Sequence, residues 1–218
     1  MYPCLLFDLD GTLLDSKEAV IDAVVYTAEQ FAPGRFGRAD LEDRFGESFD
    51  DFLASAAEKT YDRKAVMDCY FSYVRAHHQE HARLFPHVRE ELEKLSAAGF
   101  RLAVVTNKQR EFAVAGLELA GIADLFEVVV AVDDVSRGKP SAEPIAKALQ
   151  LLGMEPGQAL MIGDSQYDVL AAVGAGVKSV VLEWYGPMEW KYAVPDYRFA
   201  DIRRFAEEMM AVKVQGGE

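Results

Sequence analysis

Five short apolar runs constrain what this chain can fold into more than any other feature. They read "CLLF" at 4–7, "RLAVV" at 101–105, "VVVAV" at 128–132, "LMI" at 160–162 and "SVVL" at 179–182. A strand with one wet face alternates apolar and polar residues. These runs do not alternate cleanly, which suits parallel strands covered on both faces. Helical patterns separate the runs and stop at Gly99, Gly121 and Gly153, while "YDVLAAVGAG" follows the fourth run. Glycine just past a helix accepts the left-handed conformation that ends it. The strand–helix–strand alternation over 85–182 therefore predicts an α/β fold, a doubly wound parallel (Rossmann-like) sheet.

The first run breaks this rhythm. From residue 16 to residue 84 no strand pattern occurs. Helical patterns cover 17–31, 39–60 and 62–84, with a "PGRFG" break at 33–37. Asp15 and Glu18 have capping-box spacing for the first of them. The expected organisation is a Rossmann-like core of residues 1–15 and 85–218, interrupted by an all-helical cap domain of residues 16–84. An insertion there hangs over the sheet edge where open α/β folds bind ligands.

Composition removes several classes of function. The chain has 218 residues and a formal net charge of −13, with no basic stripe. That excludes the electrostatic footprint of a nucleic-acid binder. No apolar run is long enough to span a bilayer. Asp8 and Asp10 would interrupt the apolar core of a signal peptide. Two cysteines, Cys4 and Cys69, lack metal-ligand spacing and read as free thiols of a reducing compartment. The expectation is a cytoplasmic protein, monomer or homodimer, acting on a small molecule.

Each strand end carries polar residues. The first gives Asp8, Asp10 and Thr12, and the second gives Thr106, Asn107 and Lys108. The third leads through "DDVSRGKP" to Lys139, and the fourth gives Asp164, Ser165 and Asp168 in "GDSQYD". Singly, these are ordinary turn, cap and surface residues. Four successive strand ends of a parallel sheet, however, share one edge. Asp8, Asp10 and Asp164 would then concentrate negative charge. In an extended strand, positions i and i+2 share a face, and two carboxylates about 4 Å apart repel by roughly 4 kcal/mol at an effective dielectric of 20.

A hard divalent cation removes that conflict, and Mg²⁺ prefers oxygen ligands and phosphate. Asp8 becomes a candidate nucleophile for aspartyl-phosphate chemistry. Asp10 can give a proton to the leaving oxygen and take one from water. Thr106 and backbone N–H groups can bind phosphate oxygens, and Lys139 compensates the transferring charge.

"DLDGT", "TN", "GKP" and "GDSQYD" resemble, in this order, the four motifs of the haloacid dehalogenase superfamily. The likeness covers nearly the whole chain and is closest to the branch with a helical cap, phosphoglycolate phosphatase-like members in particular. The resemblance implies an Asp8 nucleophile, an Asp10 acid/base, and phosphate contacts from Thr106, Asn107 and Lys139. It also implies Mg²⁺ held by the Asp8 side chain, the Asp10 backbone carbonyl and the Asp164 side chain, with Asp168 in support. Asp10 favours phosphoryl chemistry, since true dehalogenases lack that second carboxylate. "GDS" followed by Asp168 favours a phosphatase over a β-phosphoglucomutase-like mutase, whose pattern is "EDS" followed by glycine. Ala142 stands where relatives often have proline, and His87 where they often have glycine. Specificity falls to the cap, with Arg44, Gly46, Glu47, Ser48 and Phe49 as candidates and Arg44 suited to a substrate anion.

The expected activity is Mg²⁺-dependent hydrolysis of a small phosphate monoester, phosphoglycolate-like. A mutase and an inorganic pyrophosphatase of the same superfamily are the alternatives. "HHQEH" at 77–81 matches an inverted zinc-protease pattern but has no third ligand in the sequence. A response-regulator receiver is shorter and carries its phosphorylated aspartate on a different strand. "EWYGPMEW" at 183–190 is aromatic for a loop and reads as packing or as a pocket wall.

Overall fold

In the computed structural model, which describes residues 2–42, 62–77 and 82–215, the five runs join one parallel sheet. Its strands are β1 (Cys4–Phe7), β2 (Arg101–Val105), β3 (Val128–Val130), β4 (Ala159–Gly163), β5 (Lys178–Leu182) and β6 (Tyr197–Phe199). The spatial order is β3-β2-β1-β4-β5-β6. Cys4 is level with Arg101 on one side and with Ala159 on the other. The chain winds outward from β1 through β2 to β3, and from β4 through β5 to β6. The order reverses between β1 and β4, and a crevice opens at such a reversal.

The helices are α1 (Lys17–Phe31), α2 (Arg38–Glu42), α3 (Arg63–Ala76), α4 (Val88–Ala97), α5 (Arg110–Leu119), α6 (Glu143–Leu152), α7 (Gln166–Ala175) and α8 (Ile202–Gln215). Alternate strand residues serve opposite layers. Leu5, Phe7, Leu102, Val104 and Ile162 pack against α4, α5 and α8. Cys4, Leu6, Ala103, Val105 and Met161 pack against α6 and α7. Both faces are dry, which is why the runs do not alternate.

Two elements were missed by the sequence reading. β6 is only three residues, Tyr197, Arg198 and Phe199, the first two exposed and Phe199 half-buried, too short a run to carry a strand signature. α8 does carry a helical period, with Ile202, Phe205, Ala206 and Met209 buried. β3 ends two residues early, at Val130. Beyond it the Asp134 carboxylate accepts the Ala131 N–H at 2.8 Å and pairs with Arg110, turning the chain out of the sheet.

Residues after β1 leave the sheet edge and return to it at Leu84. Leu14 and Leu84 form an antiparallel bridge. Asp15 N–H donates to Arg83 O at 2.7 Å, and Phe85 N–H donates to Leu13 O at 3.1 Å. The expected capping box does not form. Ser16 is the N-cap of α1 without a side-chain cap bond, and Asp15 instead accepts the Tyr185 hydroxyl at 3.0 Å. α3 is capped by Asp62, whose carboxylate accepts from Lys64 N–H and Ala65 N–H. Phe71 of α3 stacks on Phe112 of α5 at 5.2 Å, and Arg75 binds Glu111 with two hydrogen bonds.

Candidate active site

The extended run stops at Phe7, so the shared-face argument does not reach Asp10. Asp8 N–H still donates to Ile162 O at 2.8 Å, which holds Asp8 beside the end of β4. Gly11 then takes φ 79°, a left-handed turn that glycine adopts without strain. The two aspartates diverge toward different cations.

Asp8, Asp164 and Asp168 are buried and bring one carboxylate oxygen each within 4.8 Å of the others. Lys139, 2% exposed, enters this group. Its ammonium donates to Asp168 Oδ1 at 2.6 Å and lies 2.8 Å from Asp8 Oδ1. The Lys139 ammonium is thus shared between two buried carboxylates, and Asp8 Oδ1 is held by this ion pair. Asp164 Oδ1 accepts the Thr12 hydroxyl at 2.8 Å. Asp168 Oδ2 accepts both the N–H and the hydroxyl of Ser165.

Asp10 belongs to a second group. Lys108 Nζ reaches its two oxygens at 2.8 and 2.9 Å, and the Ser16 hydroxyl donates to Oδ1 at 2.6 Å. Lys108 carried no assigned role in the sequence reading, and no local pattern pairs it with Asp10, 98 residues away. Asn107 spends its side chain on the Lys139 backbone, donating to the carbonyl at 2.9 Å and accepting the N–H at 2.8 Å. It anchors the Lys139 segment, and one of its two side-chain N–H groups stays available to a phosphate oxygen. Thr106 Oγ1 accepts the Lys108 N–H at 3.1 Å, which leaves its own hydroxyl proton to donate. Arg44, with Gly46, Glu47, Ser48 and Phe49, lies outside the described residues, as do the last four of the 77–81 run.

Two glycines make room for this arrangement. A Cβ on Gly163 would sit 2.5 Å from Asp168 Cβ and closer to its carboxyl carbon. A Cβ on Gly138 would sit 2.6 Å from Asn107 Oδ1. The glycines of "GDS" and "GKP" are therefore required by close approach and not by backbone angle.

The electrostatics follow from burial. Burial pushes Asp8 up to about 7, against the pull of Lys139 and with a push from Asp168. Asp164 is raised by burial, then by Asp168 and Asp8. For Lys139, burial alone would lower the pKa, but Asp168 and Asp8 prevail and hold it above its ordinary value. Fully ionised, three carboxylates against one ammonium would leave two negative charges in a buried group, and the raised Asp8 and Asp164 reflect that conflict. A dication matches that deficit, and the oxygen-only donor set of three clustered carboxylates fits Mg²⁺. Asp8 and Asp164 present oxygens to such an ion, while both oxygens of Asp168 are already engaged.

A cavity of about 390 Å³ opens beside Asp164 and Ser165. Lys17 and Glu42 line it from the inserted segment, and Tyr185 and Lys191 from the loop after β5.

The fold and this group of side chains define a hydrolase of the haloacid dehalogenase-like class. The model for haloacid dehalogenase-like hydrolases matches residues 5–182, and the chain belongs to that family. Pyrophosphatase PpaX of Halalkalibacterium halodurans is 38% identical over 181 residues, 82% of each chain. Pyrophosphatase PpaX of Bacillus velezensis is 36% identical over 196 residues, covering 88% of this chain and 89% of the relative. Among solved structures, a "predicted phosphoglycolate phosphatase" of Haemophilus somnus is 28% identical with a TM-score of 0.81, covering 95% of this chain and 98% of that one. Among the described residues, no helix is long and apolar enough to cross a membrane.

Proposed function

We propose that this hydrolase is a Mg²⁺-dependent phosphohydrolase working through an aspartyl phosphate on Asp8. The observation that carries the reading is the buried cluster of Asp8, Asp164 and Asp168, with the Lys139 ammonium 2.8 Å from Asp8. An Asp8 oxygen attacks phosphorus and the bond to the leaving oxygen breaks. Where the leaving group is an alkoxide, Asp10 starts protonated and supplies its proton; where it is phosphate, Asp10 starts ionised beside Lys108 and later passes the proton it takes from water to solvent. Water then attacks the phosphorus of the aspartyl phosphate, gives its proton to Asp10 and releases phosphate, restoring the Asp8 carboxylate. Lys139 balances charge on Asp8 and on the transferring group. Thr106 donates its hydroxyl to a phosphate oxygen. Asp168 orients Lys139, with Ser165 holding Asp168 in turn. Bound at Asp8 and Asp164, and at the Asp10 carbonyl as the resemblance implies, Mg²⁺ supplies charge neutralisation of the phosphoryl oxygens.

Inorganic pyrophosphate is the favoured substrate, because the relatives at 36–38% identity are named pyrophosphatases. Lys108 beside Asp10 also suits an anionic leaving group. A small phosphate monoester is the second reading, supported by the likeness to the Haemophilus somnus protein. In either case residues 16–84 act as a cap over the site, and the enzyme works on a small anion in the cytoplasm as monomer or homodimer. The test is phosphate release from pyrophosphate, phosphoglycolate and sugar phosphates with Mg²⁺, using Asp8→Asn as blank. Asp8→Asn activity above about 1% of wild type, a barrier change under roughly 2.7 kcal/mol, removes Asp8 as nucleophile. Isomerisation of a sugar phosphate with little free phosphate identifies a mutase instead.

A further inference from the structure

The aromatic loop after β5 is used by none of the steps above, yet it grips both strands that join the inserted segment to the sheet. Trp184 Nε1–H donates to the Thr12 carbonyl at 3.0 Å, and the Thr12 hydroxyl donates to Asp164 at 2.8 Å. The Trp184 ring lies parallel to Phe85 at 4.5 Å, and Phe85 is the residue at which the chain returns from the insertion. Tyr185 donates its hydroxyl to Asp15 at 3.0 Å and sets its ring edge-on to Phe85 at 5.6 Å. The next residue after Asp15 is Ser16, whose hydroxyl holds Asp10 at 2.6 Å. Lys17 places its ammonium 5.0 Å over the Tyr185 ring.

Two adjacent side chains thus reach two site carboxylates, each through one short relay. Trp184 reaches Asp164 through Thr12. Tyr185 reaches Asp10 through the Asp15–Ser16 step. Simple packing of a loop against the sheet needs the ring faces and not this pair of directed bonds.

We propose that Trp184 and Tyr185 are positioning residues for the reaction: Trp184 fixes Asp164 for the metal, and Tyr185 fixes the outgoing segment that carries Ser16, one of the two partners of Asp10 named above. The proposal rests on the reading of the carboxylate group as the active site. Trp184→Phe keeps the stack on Phe85 and removes only the N–H. Tyr185→Phe keeps the ring and removes only the hydroxyl.

The test measures Mg²⁺ binding by calorimetry, steady-state phosphate release from pyrophosphate, and amide exchange at Asp15 and Phe85, whose N–H groups bond across the two strands. Trp184→Phe weakens Mg²⁺ binding by about fivefold, the scale of one lost hydrogen bond. Tyr185→Phe leaves Mg²⁺ binding within about 1.5-fold, lowers kcat by about fivefold and speeds exchange at Asp15. A partly misfolded sample lowers apparent kcat but shifts no binding midpoint, so this split separates positioning from mere stability. If both variants match wild type within about 1.5-fold in binding, kcat and exchange, the loop only packs and the proposal is overturned. A wild type that binds Mg²⁺ but releases no phosphate refutes the proposed reaction and with it the Tyr185 half, while calorimetry still decides the Trp184 half. A wild type that takes up no Mg²⁺ at millimolar concentration overturns both.

Discussion

Gly163 shows how one residue without a side chain governs several that have them. Its missing Cβ is the space into which Asp168 folds back to meet Lys139 and Ser165. Gly163→Ala drives Asp168 aside and lowers kcat/KM by about a hundredfold, since a displacement near 1 Å costs on that order. Circular dichroism and a steady-state assay on the same preparation check that the fold survives. His87 makes the converse case. It sits at φ 66°, a left-handed angle that costs a non-glycine residue about 1 kcal/mol. His87→Gly is expected to leave stability unchanged or raise it by up to about 1 kcal/mol, because relief of strain is offset by unfolded-chain entropy. Urea unfolding reads the difference. Cys4 is buried at the base of β1, and burial pushes its thiol up to about 11. Iodoacetamide at pH 8 should leave Cys4 unmodified in the folded protein while labelling it in urea, as peptide mapping will show.

At the scale of elements, β6 depends on polar pins where the other strands depend on burial. Asp196, just before it, accepts the Ser179 N–H at 2.9 Å and the Ser179 hydroxyl at 3.1 Å, and pairs with Lys178 on β5. Burial alone would raise the Asp196 pKa. The bonds from Lys178 and Ser179 outweigh it and hold the carboxyl below the usual range. A depressed folded pKa gives stability that is present above the unfolded value, near 3.9, and lost as pH falls through the folded one. Asp196→Asn should therefore be less stable than wild type at pH 7 and converge on it in acid below about pH 4. Thermal unfolding between pH 2 and 7 measures that convergence. β6 escaped sequence reading for the same reason. A three-residue edge strand held by side-chain bonds leaves no apolar run, whereas β1 and β4 lie buried at the centre and announce themselves.

For the whole molecule, the proposed ion links the site to global stability. A ligand that binds only the folded state at a hundred times its dissociation constant adds about 2.7 kcal/mol. For a chain of this length that corresponds to a rise in Tm of roughly 5–10 °C. Mg²⁺ should produce that rise in wild type, a chelator should abolish it, and Asp164→Asn should not show it. Differential scanning calorimetry with and without Mg²⁺ measures it independently of turnover.

The sequence by itself determined five of the six strands, their parallel winding and the edge on which polar residues collect, because burial on both faces and glycine stops are local signals. It also named Asp8, Lys139, Asp164 and Asp168, since each lies at a strand end, in the loop beyond it or in the first turn of the helix that follows. What only the tertiary structure decided is who partners whom. Asp10 turns from Asp8 toward Lys108 because β1 ends at Phe7. Asn107 turns onto the Lys139 backbone, and Asp15 leaves its helix for Tyr185, 170 residues away. Those pairings join segments distant in the chain. The partner of a charge is chosen by distance and desolvation in the folded interior, and spacing along the sequence carries neither.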